Sequence, residues 1–255
     1  MSEQTATFWE HLDELRSVII KSLIVFAVAA VAAFFMKEQL FDVVLAPRSS
    51  HFISYQLLGI EEEFYVSLMN VGLTEQFMTH MRVAIYAGLL LASPYVLYQL
   101  FSFIAPGLYQ NEKRVATWIA ISAYAMFIIG TMVDYFLIFP LTVRFLGTYQ
   151  VSPDVANMLT LQSYIDTFIG MSFVMGIVFE LPVVCAILGR FRVINDTLMS
   201  QYRRHAIVAI LVASAIITPT TDAFTLLVVA LPIWLLYELS IWIVKITNPK
   251  TKLSC

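Results

Sequence analysis

The chain has 255 residues, of which 60% are hydrophobic and 13% charged, and its mean hydropathy is +0.80. No water-soluble core needs that much apolar surface, so the composition excludes an ordinary soluble enzyme and implies an all-α protein with several membrane spans. The net charge of −3 is scattered along the chain and gives no footprint for nucleic acid, and two cysteines, Cys185 within an apolar run and Cys255 at the end, imply neither a disulfide framework nor a zinc site.

The first residues, MSEQTATFWEHLDELR, are acidic and hold no basic region leading into an apolar stretch, so no cleavable signal peptide is expected and the mature chain is expected to start at or near Met1. Thr7 and Glu10 stand at capping-box spacing, and Phe8, Leu12, Leu15 and Ile19 follow at helical intervals, which predicts a helix with one apolar stripe. From Ser17 to Met36 the only charge is Lys21; at about 1.5 Å per residue this stretch crosses roughly 30 Å of hydrocarbon and forms the first span. Residues 37–76 are the longest polar stretch. Lys37 and Arg48 stand there against Glu38, Asp42, Glu61, Glu62, Glu63 and Glu75, a sum of −4, so an extramembrane cap is expected.

Residues 83–104 make the second span, broken by Pro94 and carrying Gln99. It leads into FSFIAPGLYQNEKR at 101–114, where Pro106 disfavours helix at Ala105 and, with Gly107, should end the incoming helix within about one turn. The third span is 115–139, with Asp134 near its far end. The chain then returns through Pro140, with a short surface helix expected at Ser152-Pro153-Asp154. The fourth span, 164–188, carries Glu180 and Pro182 in the sequence FELP. In the basic loop after it, Asn195 is placed to cap a short helix ending at Arg203 and Arg204. Residues 206–218 give a fifth span of only about 20 Å, which must be packed against protein or lie in thinned lipid. The sixth, 225–244, carries Pro232 and Glu238. With no repeat at a fixed period and no low-complexity linker, the expectation is one transmembrane domain over 1–255 with six spans, the last two short.

Lys and Arg set the orientation. With the N-terminus inside, the inner side holds Arg16, Lys21, Lys113, Arg114, Arg190, Arg192, Arg203, Arg204, Lys245, Lys250 and Lys252. The outer side holds Lys37, Arg48, Arg82 and Arg144, so both termini and the 101–114 turn are expected in the cytoplasm. Counted from the outer ends of their spans, Gln99, Glu180 and Glu238 all fall about 20 to 24 Å deep. Carboxyl groups at that depth must face the bundle, a water-filled cavity or a partner. Pro182 and Pro232 free the carbonyls of Val178 and Val228, which offers a purely structural alternative. Glu180 is the better candidate for a functional contact, since Glu238 lies nearer the inner boundary. His11, His51, His80 and His205 fall singly in different segments, and no HExxH, GxSxG or P-loop is present, so neither catalysis, a metal nor a cofactor is expected.

Seven segments then carry a family likeness: HLDELR at 11–16, TEQF at 74–77, SPYVLYQLFSFIAPGLYQNEKR at 93–114, FELP at 179–182, RRHAIV at 203–208, ITPTTD at 217–222 and ALPIWLLYE at 230–238. In this order they resemble the TatC family, the six-span component of the twin-arginine protein translocase. The resemblance implies a receptor and core scaffold in the cytoplasmic membrane that exports folded proteins using the proton-motive force. It implies TatA- and TatB-type single-span partners, twin-arginine signal peptides as ligand, and more than one copy in a larger complex.

Residue by residue, the resemblance implies that Glu14 and Glu112 receive the arginine pair, with Phe103, Arg16, Pro106, Lys113 and Arg114 on the same surface. Glu180 matches the intramembrane glutamate of the fourth span, with Gln99 at similar depth, and Pro47 and Asp222 match outer positions tied to function. The chain departs from the family pattern at Val18, where a basic residue is usual, at TPTTD in place of TPPD, and in the length of 37–76. Read without the family, two carboxylates at the membrane face suit charge-assisted bonds to a pair of guanidinium groups. The alternative is an ion-coupled transporter using Glu180; its usual mark, paired broken segments in two halves, is missing from the placing of Pro94, Pro182 and Pro232.

Overall fold

In the computed structural model the chain is described at residues 8–60, 62–108, 113–150, 152, 157–191, 193–218 and 222–247, with side chains described there except at 8–11, 104–108 and 113–116. Helices dominate. In order they are α1 (Phe8–Phe35), α2 (Lys37–Leu45), α3 (Ile53–Leu57), α4 (Glu75–Leu108), α5 (Lys113–Val133), α6 (Phe139–Thr148), α7 (Leu161–Val178), α8 (Leu181–Arg190), α9 (Asp196–Gln201), α10 (Arg203–Ile217) and α11 (Ala223–Thr247). Two short strands, β1 (Leu68–Met69) and β2 (Leu159–Thr160), pair in parallel. Five candidate spans are long and apolar enough to cross a membrane: Leu12–Phe35, Glu75–Phe103, Thr117–Thr148, Leu161–Arg190 and Ala223–Thr247. At 15 residues α10 reaches about 22 Å, shorter than a bilayer core, as its sequence predicts. By contrast α11 has 25 residues, so the last span is not short.

Several element boundaries differ from the sequence reading for identifiable reasons. α4 begins at Glu75 and runs unbroken through Pro94 to Leu108. Pro106 therefore does not remove Ala105 from the helix, which is described as far as Leu108, within the one turn expected after the proline. The third span does not stop at 139. α5 passes through a π turn at Asp134–Ile138, in which the Phe139 amide reaches back to the Asp134 carbonyl, and continues as α6. Pro140 cannot donate to an α-helical ladder, and the wider turn just before it accommodates that loss while keeping the helix running. Leu161–Arg190, conversely, is broken at Phe179–Glu180, where Pro182 opens α8. Arg203 and Arg204 start α10 and do not end the short helix, which closes at Gln201. Asn195 precedes that helix without a side-chain capping bond. The capping position Thr7, the Pro153–Asp154 pair of the expected surface helix, and Lys250 and Lys252 lie outside the described residues.

The chain divides into two compact units, one of residues 1–43 and 76–125, the other of 44–75 and 126–255. In the first, α1 and α4 run antiparallel in backbone contact: a Cβ on Gly88 would lie 2.5 Å from the Cα of Ala30. Toward the C-terminal end of α1, His80 stacks on Phe34 at 4.2 Å between centroids, and its Nε2 lies 3.0 Å from the Phe34 carbonyl, one of those left over at the end of the helix.

The second unit has a core of Ile138, Met171, Met175, Phe179, Val229, Ile233 and Leu236. Glycines let its helices approach: a Cβ on Gly130 would come within 2.7 Å of the Met175 carbonyl oxygen, and one on Gly176 within 2.6 Å of the Phe127 ring. The segment 44–75 is bound down onto this unit by polar groups. The wholly buried Tyr55 hydroxyl lies 2.8 Å from both the Pro47 and Pro140 carbonyl oxygens, and Tyr164 donates to the Val44 carbonyl at 3.0 Å. Burial pushes the Tyr55 phenol well above its ordinary range, so it stays a donor.

Candidate functional site

Glu14 and Arg16 sit exposed on the second and third turns of α1, and Phe103 is half-buried near the end of α4. The Ala30–Gly88 contact fixes their relation, because the helices are antiparallel and rise about 1.5 Å per residue. Sixteen residues back from Ala30 to Glu14 and fifteen forward from Gly88 to Phe103 are about 24 and 22 Å in the same direction. Glu14, Arg16 and Phe103 thus gather at one end of the first unit. Pro106 lies in the last turn of α4, and Lys113 and Arg114 in the first turn of α5, so chain connection brings them to that end also. Their side chains, and all of Glu112, lie outside the described residues.

Glu180 belongs to the second unit and owes its position to a helix break. The Phe179 amide still closes the last α turn onto the Met175 carbonyl at 3.0 Å, and the Glu180 amide makes a tighter bond, 3.0 Å to Ile177. Pro182, buried and without an N–H, then restarts the helix as α8. The close approach at Gly130 holds Met175 and Phe179, in the turn that precedes Glu180, against α5. Neither oxygen of the half-buried Glu180 carboxyl has a hydrogen-bond partner among the described residues. The freed-carbonyl alternative therefore does not account for it, and a donor from outside these residues would be well matched.

The other polar positions are structural in their geometry. Gln99, in the first unit, donates to the Tyr95 hydroxyl at 2.6 Å, one turn back on the same helix. Glu238 accepts from Arg203 at 2.8 Å, which ties α11 to the start of α10. Asp222 caps α11, accepting the Thr225 amide at 2.7 Å and its hydroxyl at 2.8 Å. Pro47 is buried and presents its carbonyl to Tyr55.

Sequence reasoning did not single out Asp134 or Glu75. Asp134 is wholly buried on the π turn, and neither of its oxygens has a hydrogen bond of good geometry among the described residues; Ser172 is the polar group facing it. Its place late in an apolar run was visible in the sequence, but a π turn has no sequence signature that marks its inward face. Glu75 stood out only as part of TEQF. Its partners lie 3, 4 and 87 residues away and could not be read from spacing.

These features define a polytopic helical membrane protein that gathers Glu14, Arg16 and Phe103 at one end of one unit and carries an unsatisfied carboxyl at a helix break in the other. The family model described as Sec-independent protein translocase protein (TatC) matches residues 10–232. The TatC of Carboxydothermus hydrogenoformans is 32% identical over 98% of this chain and 97% of its own length, and that of Deinococcus radiodurans is 35% identical over 93% and 85%. A crystal structure of the twin-arginine translocase receptor TatC superimposes with a TM-score of 0.76 at 32% identity, covering 93% of this chain and 99% of that one. The chain belongs to the TatC family.

Proposed function

We propose that this chain is the signal-peptide receptor and core scaffold subunit of a twin-arginine translocase, which exports folded proteins across the cytoplasmic membrane with the proton-motive force. The observation that carries this reading is the whole-length match to a solved twin-arginine translocase receptor, together with the gathering of Glu14, Arg16 and Phe103 at one end of the first unit. Glu14 and Glu112 bind the two arginines of the signal peptide, Phe103 and Pro106 supply apolar contact beside them, and Arg16, Lys113 and Arg114 complete the charged rim. Glu180 takes a polar group from a TatA- or TatB-type single-span companion, which its two unsatisfied oxygens favour. Pro47 and Asp222 hold the outer ends of the fold on which export depends.

In this reading the chain is one transmembrane domain of six spans, α10 included, with both termini in the cytoplasm, several copies in the complex, and no catalytic group, metal or cofactor. The relatives and structure named above are all translocase components, which leaves the ion-coupled transporter without support. A photo-reactive twin-arginine peptide should crosslink to a residue at Phe103. A cysteine at Asn111 should be labelled only after permeabilisation, whereas one at His51 should be labelled in intact cells. Labelling of Asn111 from outside would overturn the orientation and the receptor face with it.

A further inference from the structure

The TEQF motif has no part in the function above, yet its glutamate is bonded on both carboxylate oxygens within the second unit. Glu75 is nearly buried at 9% exposure. Its Oε2 accepts the backbone amides of Val71 and Gly72, both at 2.9 Å, and its Oε1 accepts the amide of Gln162 at 3.0 Å. Asn70, with its NH2 turned toward acceptors, adds a fourth donor at 3.0 Å. Val71 and Gly72 belong to the turn just after β1, whereas Gln162 is the second residue of α7. The first amides of α7 have no partners within the helix. Thr160 satisfies Ser163 at 3.1 Å, and Glu75 satisfies Gln162 with a full negative charge at the positive end of an 18-residue helix. The β1–β2 register, Leu68 with Leu159 and Met69 with Thr160, runs into this clasp from the same two segments.

We propose that the Glu75 carboxylate is a positioning residue for export: it locks the 68–72 segment to the first turn of α7 and so fixes the helix that carries Glu180 at its other end. α7 is unbroken from Leu161 to Val178, so a shift at Gln162 is passed along a stiff rod to the break at Glu180. This role rests on the translocase reading, but the clasp itself does not. Signal-peptide capture belongs to the first unit and does not require it.

The test uses the full-length protein in its complex and in detergent. In Glu75→Ala, hydrogen–deuterium exchange should rise about tenfold in the peptides covering 68–75 and 159–164, because charge-assisted bonds to three amides are lost while the rest of the fold stays closed. Twin-arginine peptide binding should stay within about twofold of wild type, and export in cells relying on this chain should fall about fivefold or more, the effect of losing a buried bond or two. Glu75→Gln, which keeps an acceptor without the charge, should fall between. Wild-type exchange in either peptide, a rise spread over the whole chain together with lost peptide binding, or full export despite both peptides opening would each overturn the proposal. Failure of the wild-type protein to bind twin-arginine peptide would instead reject the receptor reading, with the exchange data still deciding whether the clasp exists.

Discussion

The two units hold themselves together by different means. Only 6% of the most apolar stretch of α1 is buried, and Ile19, Leu23, Val28 and Val31 are exposed, whereas 39% and 44% of the corresponding stretches within Leu161–Arg190 and Ala223–Thr247 are buried in the second unit. α1 touches α4 through small-residue contact at Ala30–Gly88 and the Phe34–His80 stack. The second unit adds a continuous core to a set of side-chain clasps onto backbone groups from Tyr55, Tyr164, Glu75 and Asp222. In lipid, where apolar exposure costs nothing, close backbone approach and buried hydrogen bonds take over the work that hydrophobic burial does in water. The end that gathers Glu14 and Phe103 thus rests on a few contacts, and the second unit on many.

Breaking one contact in each unit should separate these modes. The largest effect on binding is expected for Gly88→Val, because its Cβ would meet the Cα and N of Ala30 at 2.5 and 2.6 Å and the Ala30 Cβ at 2.7 Å, and no flexible side chain is there to yield. α1 must move, Glu14 moves with it, and twin-arginine peptide binding should fall by about thirtyfold, equivalent to roughly 2 kcal/mol, as read by titration of purified protein. Gly130→Val should instead lower the melting temperature of the scaffold, at a cost of about 1 to 3 kcal/mol, since its Cβ would press on the Met175 carbonyl oxygen. Peptide binding by the folded fraction should survive. The control is Gly170→Ala on α7, where nothing lies within 4 Å, and the expected change is a gain of about 0.5 to 1 kcal/mol.

The smallest effect is expected at Asp134. Asp134→Asn should leave thermal stability within about 1 kcal/mol of wild type or raise it, because exchanging a buried ionisable group without well-made hydrogen bonds for a neutral amide of the same shape takes away a cost and not a support. A larger loss would mean that the carboxyl has a strong partner.

The sequence predicted much of the secondary structure and less of its fastening. Apolar runs marked the candidate spans, charge marked the polar segment 37–76, and FELP marked the break at Glu180. Proline misled at two places: Pro94 is absorbed within α4, and Pro140 follows a π turn that keeps the third helical run going. A proline can be absorbed when neighbouring helices and local widening satisfy the freed groups, and that depends on packing that no single-chain pattern encodes. The same limit hid the clasps of Tyr55 to Pro140 and Glu75 to Gln162, 85 and 87 residues apart. In the first unit, family likeness named the proposed site residues, but only the antiparallel contact of α1 and α4 brings Glu14 level with Phe103.

The central claim is that Glu14 and Glu112 read a pair of arginines. Its most direct test is the affinity of the purified protein for a twin-arginine peptide and for the same peptide with both arginines replaced by lysine. A guanidinium offers its donors in a fixed fork that a lysine ammonium lacks, so the lysine peptide should bind about tenfold more weakly although its charge is the same. The Glu14→Gln/Glu112→Gln variant should bind both peptides weakly and lose most of the difference. Equal binding of the two peptides by wild type, or undiminished binding of the arginine peptide by the double variant, would contradict the account.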